Sequence, residues 1–443
     1  MRKRNFLLPV TLAAATVLGA MATSVAPGLA NFEDESKELI EEVWHVIDRE
    51  YVDTSFNNQD WAEVRRRYLS REYKSKDAAY QGIRDMLKTL GDPYTRFMDP
   101  KQYASMQVDT SGEFQGVGIQ LGIDEKTKEL TVISPIEDTP AWKAGVHSRD
   151  VLLSIDGRST QNMDIDQAVS YIRGPGGSTV DLKFRRGEEI LNLSLVRTRI
   201  ELKPVKYSLQ VDQGQRIGYI RLTQFNANAA RDMREAVARL NAQNVDGFVL
   251  DLRANPGGLL YASADIARMW LSGGTIVSTV DRTGQRQVLS ASRPALTDKP
   301  LVVLVDGASA SASEILSGAL QDHHRAVLVG TKTFGKGLVQ SVHSLSDGSG
   351  MAVTIARYQT PSGRDINKKG IEPDYKVELP KDPAKRLKLE QIGTREDLQF
   401  TRALDVLRRE IAGAPTRSLT TASEGVPAKA GAASGEKAAV PNP

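Results

Sequence analysis

The sequence predicts a multidomain α/β protein, and three observations support this prediction. The chain has 443 residues, which at ~100–200 residues per domain corresponds to roughly two to four domains. Its apolar residues follow helical spacing first, then short β-type runs, and then an alternation of the two patterns. Apolar residues make up 40% and charged residues 26% of the chain, a balance typical of globular domains with buried cores.

Composition excludes several kinds of site. The chain has no Cys, which rules out disulfides, a thiol nucleophile, Cys-bound metal clusters and lipid attached to Cys. Its five His argue against a multi-His metal cluster. The formal charge is +3, and Arg2, Lys3 and Arg4 account for all of that excess. The rest of the chain therefore lacks the overall basic charge of a nucleic-acid-binding protein.

Residues 1–30 show the features of a secretory signal peptide in order. Three basic residues precede an uncharged apolar stretch, residues 6–22, and small residues follow at possible cleavage sites after Ala26 or Ala30. An uncleaved membrane anchor is the alternative, but the stretch is short for a spanning helix of about 20 residues and Pro9 interrupts it. The sequence therefore predicts an exported protein, associated with a membrane only if the signal is retained.

Residues 31–105 are predicted to form an N-terminal helical region. Apolar residues recur at helical spacing in its first half, and a second helical pattern runs to Gly91, a residue typical of helix C-termini. The turn-rich segment DPYTRFMDP, residues 92–100, follows. Nothing in this region indicates chemistry.

The remaining chain divides into a small β-rich module, an α/β core and a tail. Residues 106–198 carry short β-type runs with two helical patterns between them, and residues 199–412 alternate strands and helices and end in a helical segment. Near-continuous apolar strands within the core indicate a mixed sheet buried on both faces. Residues 413–443 have few large apolar groups, which predicts a disordered tail.

The β-rich module resembles a PDZ domain of the exported-protease type. The resemblance rests on three segments: GVGI at 116–119, TPAWKAGV at 139–146 and DVLLSIDG at 150–157. PDZ domains add a peptide as an extra strand and bind its terminal carboxylate through backbone amides. The resemblance implies that Val117, Gly118 and Ile119 supply those amides. Alternatively, the glycines serve only a bulge or tight turn.

Ser311 lies where an apolar strand turns into a helical pattern, in the segment GASASASEILSGAL. A serine at such a turn can face the free amides and positive dipole of a helix N-terminus, which stabilise a developing oxyanion. Ser311 and Glu314 also fit a capping box, in which the serine only caps its helix. The local pattern favours the cap and leaves both interpretations open.

A serine nucleophile needs a base, and the sequence offers two kinds. His323 and His324 end the same helical pattern, ~18 Å from Ser311 at 1.5 Å per residue, and nothing favours a histidine partner. Lys336 lies among glycines and apolar residues, where burial would lower the pKa of its amine and let it act as a base. Gln340, four residues on, can orient that amine. Alternatively, Lys336 is a surface lysine in a glycine turn.

A third segment, DLRANPGG at residues 251–258, follows another predicted strand. A Pro-Gly-Gly turn at the carboxyl end of a strand exposes backbone amides, which suit one half of an oxyanion hole. Its alternative interpretation is a simple loop.

These segments, in this order, resemble the carboxyl-terminal processing peptidases, also called tail-specific proteases. The markers are DLRANPGGLL, GASASASEILSGAL, GTKTFGKGLVQ and YQTPSGRDINKKGIEPD. The resemblance implies a serine protease with a Ser/Lys dyad, in which Ser311 is the nucleophile, Lys336 is the general base and Gln340 positions the lysine. It also implies an oxyanion hole formed by the amides of Gly257 and Ala312, although Gly258 is adjacent to the first of these.

The resemblance further implies an endopeptidase exported to the periplasm or thylakoid lumen. Such an enzyme would bind unstructured carboxyl termini of substrate proteins through its PDZ domain and cleave nearby, without a metal or cofactor. The N-terminal helices would mediate a homodimer, as in some relatives. Two alternatives remain: a catalytically silent PDZ scaffold that binds exported carboxyl termini, and a Ser–His hydrolase.

Overall fold

The computed structural model of the chain describes residues 30–379 and 387–413. The signal peptide predicted at residues 1–30 and the tail predicted at residues 413–443 lie outside the described residues, apart from helical Ala30 and the turn residue Gly413. Within the described ranges, no helix is both long enough and apolar enough to cross a membrane.

The N-terminal region is mainly helical. Its elements are α1 (Ala30–Glu50), α2 (Trp61–Leu69), α3 (Lys76–Lys88), β1 (Arg96–Met98) and α4 (Pro100–Ser111). Side chains of Asp60, Ser75 and Asp99 accept amide hydrogen bonds at the starts of α2, α3 and α4, which fixes where these helices begin. Helix α3 ends earlier than predicted, with Thr89 as its C-cap rather than Gly91.

The β-rich module follows. Its elements are β2 (Glu113–Gly116), β3 (Ile119–Ile123), β4 (Leu130–Pro135), α5 (Pro140–Lys143), β5 (Val151–Ile155), β6 (Arg158–Ser159), α6 (Ile165–Ile172), β7 (Thr179–Arg186), β8 (Glu189–Val196) and β9 (Thr198–Glu201). The main sheet has the order β3-β4-β5-β7-β8, and β2 pairs with β9 where the chain enters and leaves the module. An apolar core of its own, centred on Leu152 and Phe184, makes this module a separate packing unit.

The α/β core contains the remaining elements. They are β10 (Val205–Asp212), β11 (Gln215–Leu222), α7 (Ala229–Ala242), β12 (Gly247–Asp251), α8 (Leu260–Ala267), β13 (Gly274–Asp281), β14 (Arg286–Ala291), β15 (Leu301–Val305), α9 (Ala312–Asp322), β16 (Val327–Gly330), β17 (Leu338–Ser344), β18 (Gly350–Gln359), β19 (Tyr375–Lys376) and α10 (Leu398–Ile411), with a 3₁₀ turn at Leu389–Gln391 before α10. The predicted boundaries at residues 105 and 198 stay predictions, and α4 runs across the first of them.

Two sheets organise the core. The first has the order β10-β11-β12-β15-β16-β19 and is parallel from β11 onward. Every residue of β12 and β15 is buried, because helices cover both faces, and this confirms the mixed α/β architecture read from the apolar strands. The second sheet joins β1, β13, β14 and β17 around the long strand β18. The N-terminal region is therefore built into the core through β1.

Candidate active site

Ser311 lies at the turn that connects β15 to α9. The fully buried strand β15 fixes the start of this turn, and α9 begins at Ala312. Ser311 has φ 54° and ψ −112°, a backbone conformation that costs a non-glycine residue free energy and recurs at functional sites. Its side chain is half-buried and lines a cavity of about 350 Å³, called here the Ser311 cavity.

Two neighbouring serines do not face this cavity. Ser309 donates its hydroxyl to the carbonyl oxygen of Leu252 at 2.8 Å, and Ser313 donates to that of Asn255 at 2.9 Å. Both side chains are fully buried. Ser311 is therefore the serine of the SASAS segment whose hydroxyl a substrate can reach.

Lys336 lies in the loop between β16 and β17 and lines the same cavity. Burial lowers the pKa of its amine, and the charge of Arg96 lowers it further, while Asp92 and Glu314 act in the opposite direction. The amine nitrogen Nζ lies 4.9 Å from the centre of the Tyr94 ring. Lys336 is thus more easily neutral than a lysine in solvent, as a general base must be.

The carboxylate of Glu314 joins the two loops through their amide groups. It is fully buried and accepts hydrogen bonds from the backbone N–H of Ser311 at 2.9 Å and of Lys336 at 2.9 Å. It also accepts from the N–H of Gly335 at 2.7 Å and from the hydroxyl of Thr333 at 2.6 Å. Half of the predicted capping box is formed, since Glu314 accepts from the amide of Ser311, whereas the Ser311 side chain makes no cap hydrogen bond. The same carboxylate also holds the lysine loop.

Tyr358 on β18 joins the same two loops through their carbonyl groups. Its hydroxyl has a single proton, which it shares between the carbonyl oxygens of Lys336, at 2.5 Å, and Ser311, at 3.1 Å. Burial raises the pKa of Tyr358 well above its ordinary value, so the hydroxyl keeps its proton and remains a donor. Glu314 and Tyr358 therefore form a bridge that fixes the backbones of Ser311 and Lys336 relative to each other.

Gln340 lies on β17 and also lines the Ser311 cavity. Its side-chain amide donates to the hydroxyl of Thr354 at 3.5 Å, and Thr354 donates to Asp92 at 2.6 Å. Among the described residues, no hydrogen bond joins Gln340 to Lys336. The structure brings the two residues to one cavity, and the positioning role of Gln340 stays a prediction.

The Pro-Gly-Gly turn lies directly against Ser311. A Cβ atom built on Gly257 would be 2.9 Å from Cβ of Ser311 and 3.0 Å from the amide nitrogen of Ala312. The N–H of Gly257 donates to the side-chain oxygen of Asn255 at 2.9 Å, whereas Gly258 and Ala312 line the cavity. The two predicted oxyanion donors are thus adjacent, with the Gly257 amide engaged within its own turn.

Of the three predicted peptide-binding residues, Ile119 lines a second cavity. This cavity has a volume of about 900 Å³ and is called here the PDZ-side cavity. Val117 and Gly118 connect β2 to β3. The structure does not bring these residues to the Ser311 cavity. The two cavities nevertheless share Asp109 and Gln224 as wall residues, so they adjoin.

Sequence reasoning missed wall residues of the Ser311 cavity. Tyr94 and Arg96 belong to the segment 92–100, in which the sequence indicated no chemistry, and Tyr358 ends an apolar strand. No local signal marks Tyr94 or Arg96, because β1 reaches the site by pairing with β18, far away in the chain. For Tyr358, the sequence offers one signal, an aromatic residue with a polar hydroxyl in a mostly apolar strand, where a buried hydroxyl needs a hydrogen-bond partner.

Two of the histidines, His323 and His343, contact groups outside the Ser311 cavity. The ring of His323 contacts the carbonyl oxygen of Thr275 at 2.7 Å, and His343 pairs with Glu50 at 2.8 Å. Among the residues lining the Ser311 cavity there is no histidine. Within the described ranges, no group of His, Asp and Glu could hold a metal ion.

Comparisons with known proteins agree on one family. The profile of peptidase family S41 matches residues 216–377, and that of the PDZ domain matches residues 131–186. A carboxyl-terminal-processing protease of a Picosynechococcus species is 46% identical over 396 residues, covering 89% of this chain and 93% of that protein. Another, from Synechocystis, is 44% identical over 405 residues, covering 90% and 93%.

A plant relative and a solved structure extend this agreement. The chloroplastic carboxyl-terminal-processing peptidase 2 of Arabidopsis thaliana is 42% identical over 362 residues, covering 79% of this chain and 70% of that protein. The solved structure of a photosystem II D1 C-terminal processing protease is 39% identical, with a TM-score of 0.51, covering 78% of this chain and 95% of that one.

Proposed function

We propose that Ser311 and Lys336 form the catalytic dyad of this chain, which belongs to peptidase family S41 and is a serine-type, carboxyl-terminal-processing protease with a PDZ domain. One observation carries the proposal: the two side chains line a single cavity while Glu314 and Tyr358 bridge their backbones. The geometry supports nucleophilic catalysis with a lysine base.

The proposed reaction is peptide hydrolysis in two steps. Neutral Lys336 accepts the hydroxyl proton of Ser311 as Oγ attacks the scissile carbonyl carbon. Backbone N–H groups of Ala312 and of the Pro-Gly-Gly turn stabilise the oxyanion, and each such donor contributes about 3 kcal/mol. The lysine ammonium then protonates the leaving amine, and the carbon–nitrogen bond breaks. In the second step, neutral Lys336 accepts a proton from water as the water oxygen attacks the acyl carbon. The lysine ammonium then returns this proton to Oγ of Ser311 as the carbon–Oγ bond breaks, which releases the acid and restores both residues.

The Gly257 amide must turn from Asn255 to serve as an oxyanion donor, whereas Gly258 already faces the cavity. We therefore keep both glycines as candidates for the second donor. Alanine substitution cannot separate them, because both have positive φ and a Cβ on either would clash with backbone atoms. Replacing one peptide bond by an ester through semisynthesis removes a single N–H and would identify the donor.

The substrate proposed is an unstructured carboxyl-terminal segment of a protein. Its end would bind the amides of Val117, Gly118 and Ile119, and the upstream chain would pass the shared wall into the Ser311 cavity. Met106, Leu260, Ile315 and Leu338 give the cavity an apolar lining, which predicts an apolar residue beside the scissile bond.

We further propose that the enzyme acts after export, in the periplasm or thylakoid lumen, because residues 1–30 carry signal-peptide features and relatives include a chloroplastic enzyme. Amino-terminal sequencing of the protein from fractionated cells tests this. A mature chain beginning after Ala26 or Ala30 supports it, while full-length protein in the soluble cytosol contradicts it. A single-chain mass in light scattering would contradict the expected homodimer.

The test of the dyad uses the purified full chain and an unstructured polypeptide with an apolar carboxyl terminus. Ser311→Ala and Lys336→Ala are each expected to lower kcat at least ~1,000-fold. Lys332→Ala is the matched control, since Lys332 lies in the same loop but pairs with Glu372 at the surface. Near-native turnover by Lys336→Ala would refute the dyad.

The same assay separates the alternatives. A double variant of His323 and His324 to Ala should retain activity, and its inactivity would favour a Ser–His hydrolase. Absence of any cleavage by the wild-type chain, despite binding of the peptide, would favour a silent scaffold.

A further inference from the structure

Arg96 reaches the Ser311 cavity from outside the α/β core. Strand β1 pairs with β18, and Arg96 lies opposite Ala352. On the other side of β18, Gln340 lies opposite Thr354. Ala352 and Thr354 are two residues apart, so their side chains and those of their partners project from one face of the sheet. Arg96 therefore shares the face that carries Gln340 and the cavity wall.

The segment before Arg96 is fastened to β18. The carboxylate of Asp92 accepts hydrogen bonds from the hydroxyls of Thr95, at 2.7 Å, and Thr354, at 2.6 Å. Tyr94 follows, and its ring lies beside the lysine amine. Because β18 also carries Tyr358, this segment keeps a fixed position relative to Lys336.

Charged and titratable groups face Lys336 from several elements. They are Asp92, Tyr94 and Arg96 of the N-terminal segment, Glu314 of α9, Tyr358 of β18 and, across the cavity, Asp109 of α4. Glu314 is saturated by four donors, and Asp92 is bound by hydroxyls. In the part of the chain that the structure describes, Arg96 has no ion pair. Its guanidinium is exposed at the cavity wall, and its charge lowers the pKa of Lys336 against the opposing effects of Asp92 and Glu314.

We propose that Arg96 is a positioning residue: its unpaired guanidinium at the cavity wall disfavours the ammonium form of Lys336 and thereby favours the neutral amine that accepts the Ser311 proton. The inference rests on the proposed dyad and deepens it. It assigns an electrostatic function to the N-terminal region, which lies outside the span matched by the peptidase family profile.

The test is the pH dependence of kcat/KM in the full chain, because its acid limb reports the pKa of the free enzyme's base. In Arg96→Gln the ammonium is less disfavoured, so the pKa of Lys336 rises and the acid limb moves to higher pH. We expect kcat/KM to be roughly three- to tenfold lower than wild type on the acid side, with the two curves converging at alkaline pH. Arg96→Lys keeps the charge and should restore most of the wild-type profile.

Arg66→Gln is the matched control, because it removes the same charge from an exposed pair with Glu63 in the same region. It should leave the profile unchanged. A profile of Arg96→Gln that coincides with wild type would overturn the proposal, as would a loss by the same factor at every pH, which indicates a structural or substrate-binding role. Full activity in Lys336→Ala would instead overturn the dyad, so the two failures are distinguishable.

Discussion

The two bridged loops that carry Ser311 and Lys336, called here the Ser311–Lys336 junction, differ from the PDZ turn at Val117 and Gly118 in how their backbone amides are used. At the junction, the N–H groups of Ser311 and Lys336 both end on the carboxylate of Glu314. At the PDZ turn, within the described residues, the amides of Val117 and Gly118 have no hydrogen-bond acceptor. The comparison suggests that one region uses its polar groups to fix geometry, while the other keeps them for a ligand. Substitutions in the first should therefore lower kcat, and those in the second should raise KM.

Glu314→Gln gives the largest effect expected from this comparison. The neutral amide keeps the volume but brings an NH₂ group against N–H and O–H donors, so the bridge between the two loops fails. We expect kcat to fall about 100-fold, as for a misplacement of about 1 Å, and the free energy of unfolding to fall by about 3 kcal/mol. Steady-state kinetics and urea unfolding measure these changes. Glu372→Gln, on the surface beside Lys332, is the control, and kcat within twofold of wild type would contradict the bridge.

Tyr358→Phe removes the second half of the bridge and should have a smaller effect. The carbonyl of Lys336 loses its donor, which costs about 1–3 kcal/mol of stability, whereas that of Ser311 still accepts from the N–H groups of Glu314 and Ile315. Glu314 still holds the amide side of the bridge. We expect kcat to fall about tenfold with KM little changed. A change confined to KM would show that Tyr358 contacts substrate instead.

Gly118→Ala tests the other region. Gly118 has φ +82°, and an added Cβ would lie 2.3 Å from Cβ of Thr139, so the turn must distort. KM for a polypeptide with a free carboxyl terminus should rise about tenfold while kcat is unchanged. Gly177→Ala is a closely matched control, because Gly177 has φ +83° in the same module but open space around its Cβ. Equal increases in KM for both variants would show that backbone strain alone causes the effect, and would contradict a specific role of the Gly118 turn in peptide binding.

Lys336→Met removes the proposed base and with it the activity, but its effect on stability should be the smallest of the series and should be stabilising. The folded state lowers the pKa of Lys336 from 10.5, so between that lowered value and 10.5 the unfolded chain binds more protons and stability rises with pH. Burying the charged amine therefore costs the folded state free energy at neutral pH. Methionine carries no charge, so the variant should have a higher melting temperature at neutral pH and a smaller gain near pH 10. A lower melting temperature in an inactive but folded variant would contradict the claim that burying the Lys336 ammonium destabilises the folded state.

The sequence predicts those features of the site that a short segment determines, and it misses those that depend on contacts between distant segments. The strand-to-helix turn at Ser311 and the glycine-rich loop at Lys336 are visible because short segments determine them. The sequence does not show that the Glu314 carboxylate also holds the lysine loop. A capping box within one helix turn already accounts for a glutamate at this position. Only the packing of α9 against the loop adds the contacts from Gly335 and Lys336.

The role of the segment 92–100 is also beyond sequence reasoning. Tyr94 and Arg96 lie in a short segment between two helical patterns, the second of which begins with a proline. In the sequence this segment therefore looks like a connector. Their position depends on the register between β1 and β18. Likewise, the choice between the Gly257 and Gly258 amides depends on where the Asn255 side chain turns.

The most direct test of the Ser/Lys dyad is a crystal structure of Ser311→Ala with an uncleaved peptide bound. The account predicts the scissile carbonyl oxygen within ~3 Å of the Ala312 amide nitrogen, and Nζ of Lys336 on the side of residue 311, within about 4 Å of where Oγ would lie. A peptide bound productively across the cavity, with Nζ directed away from both the scissile carbon and residue 311, would contradict it.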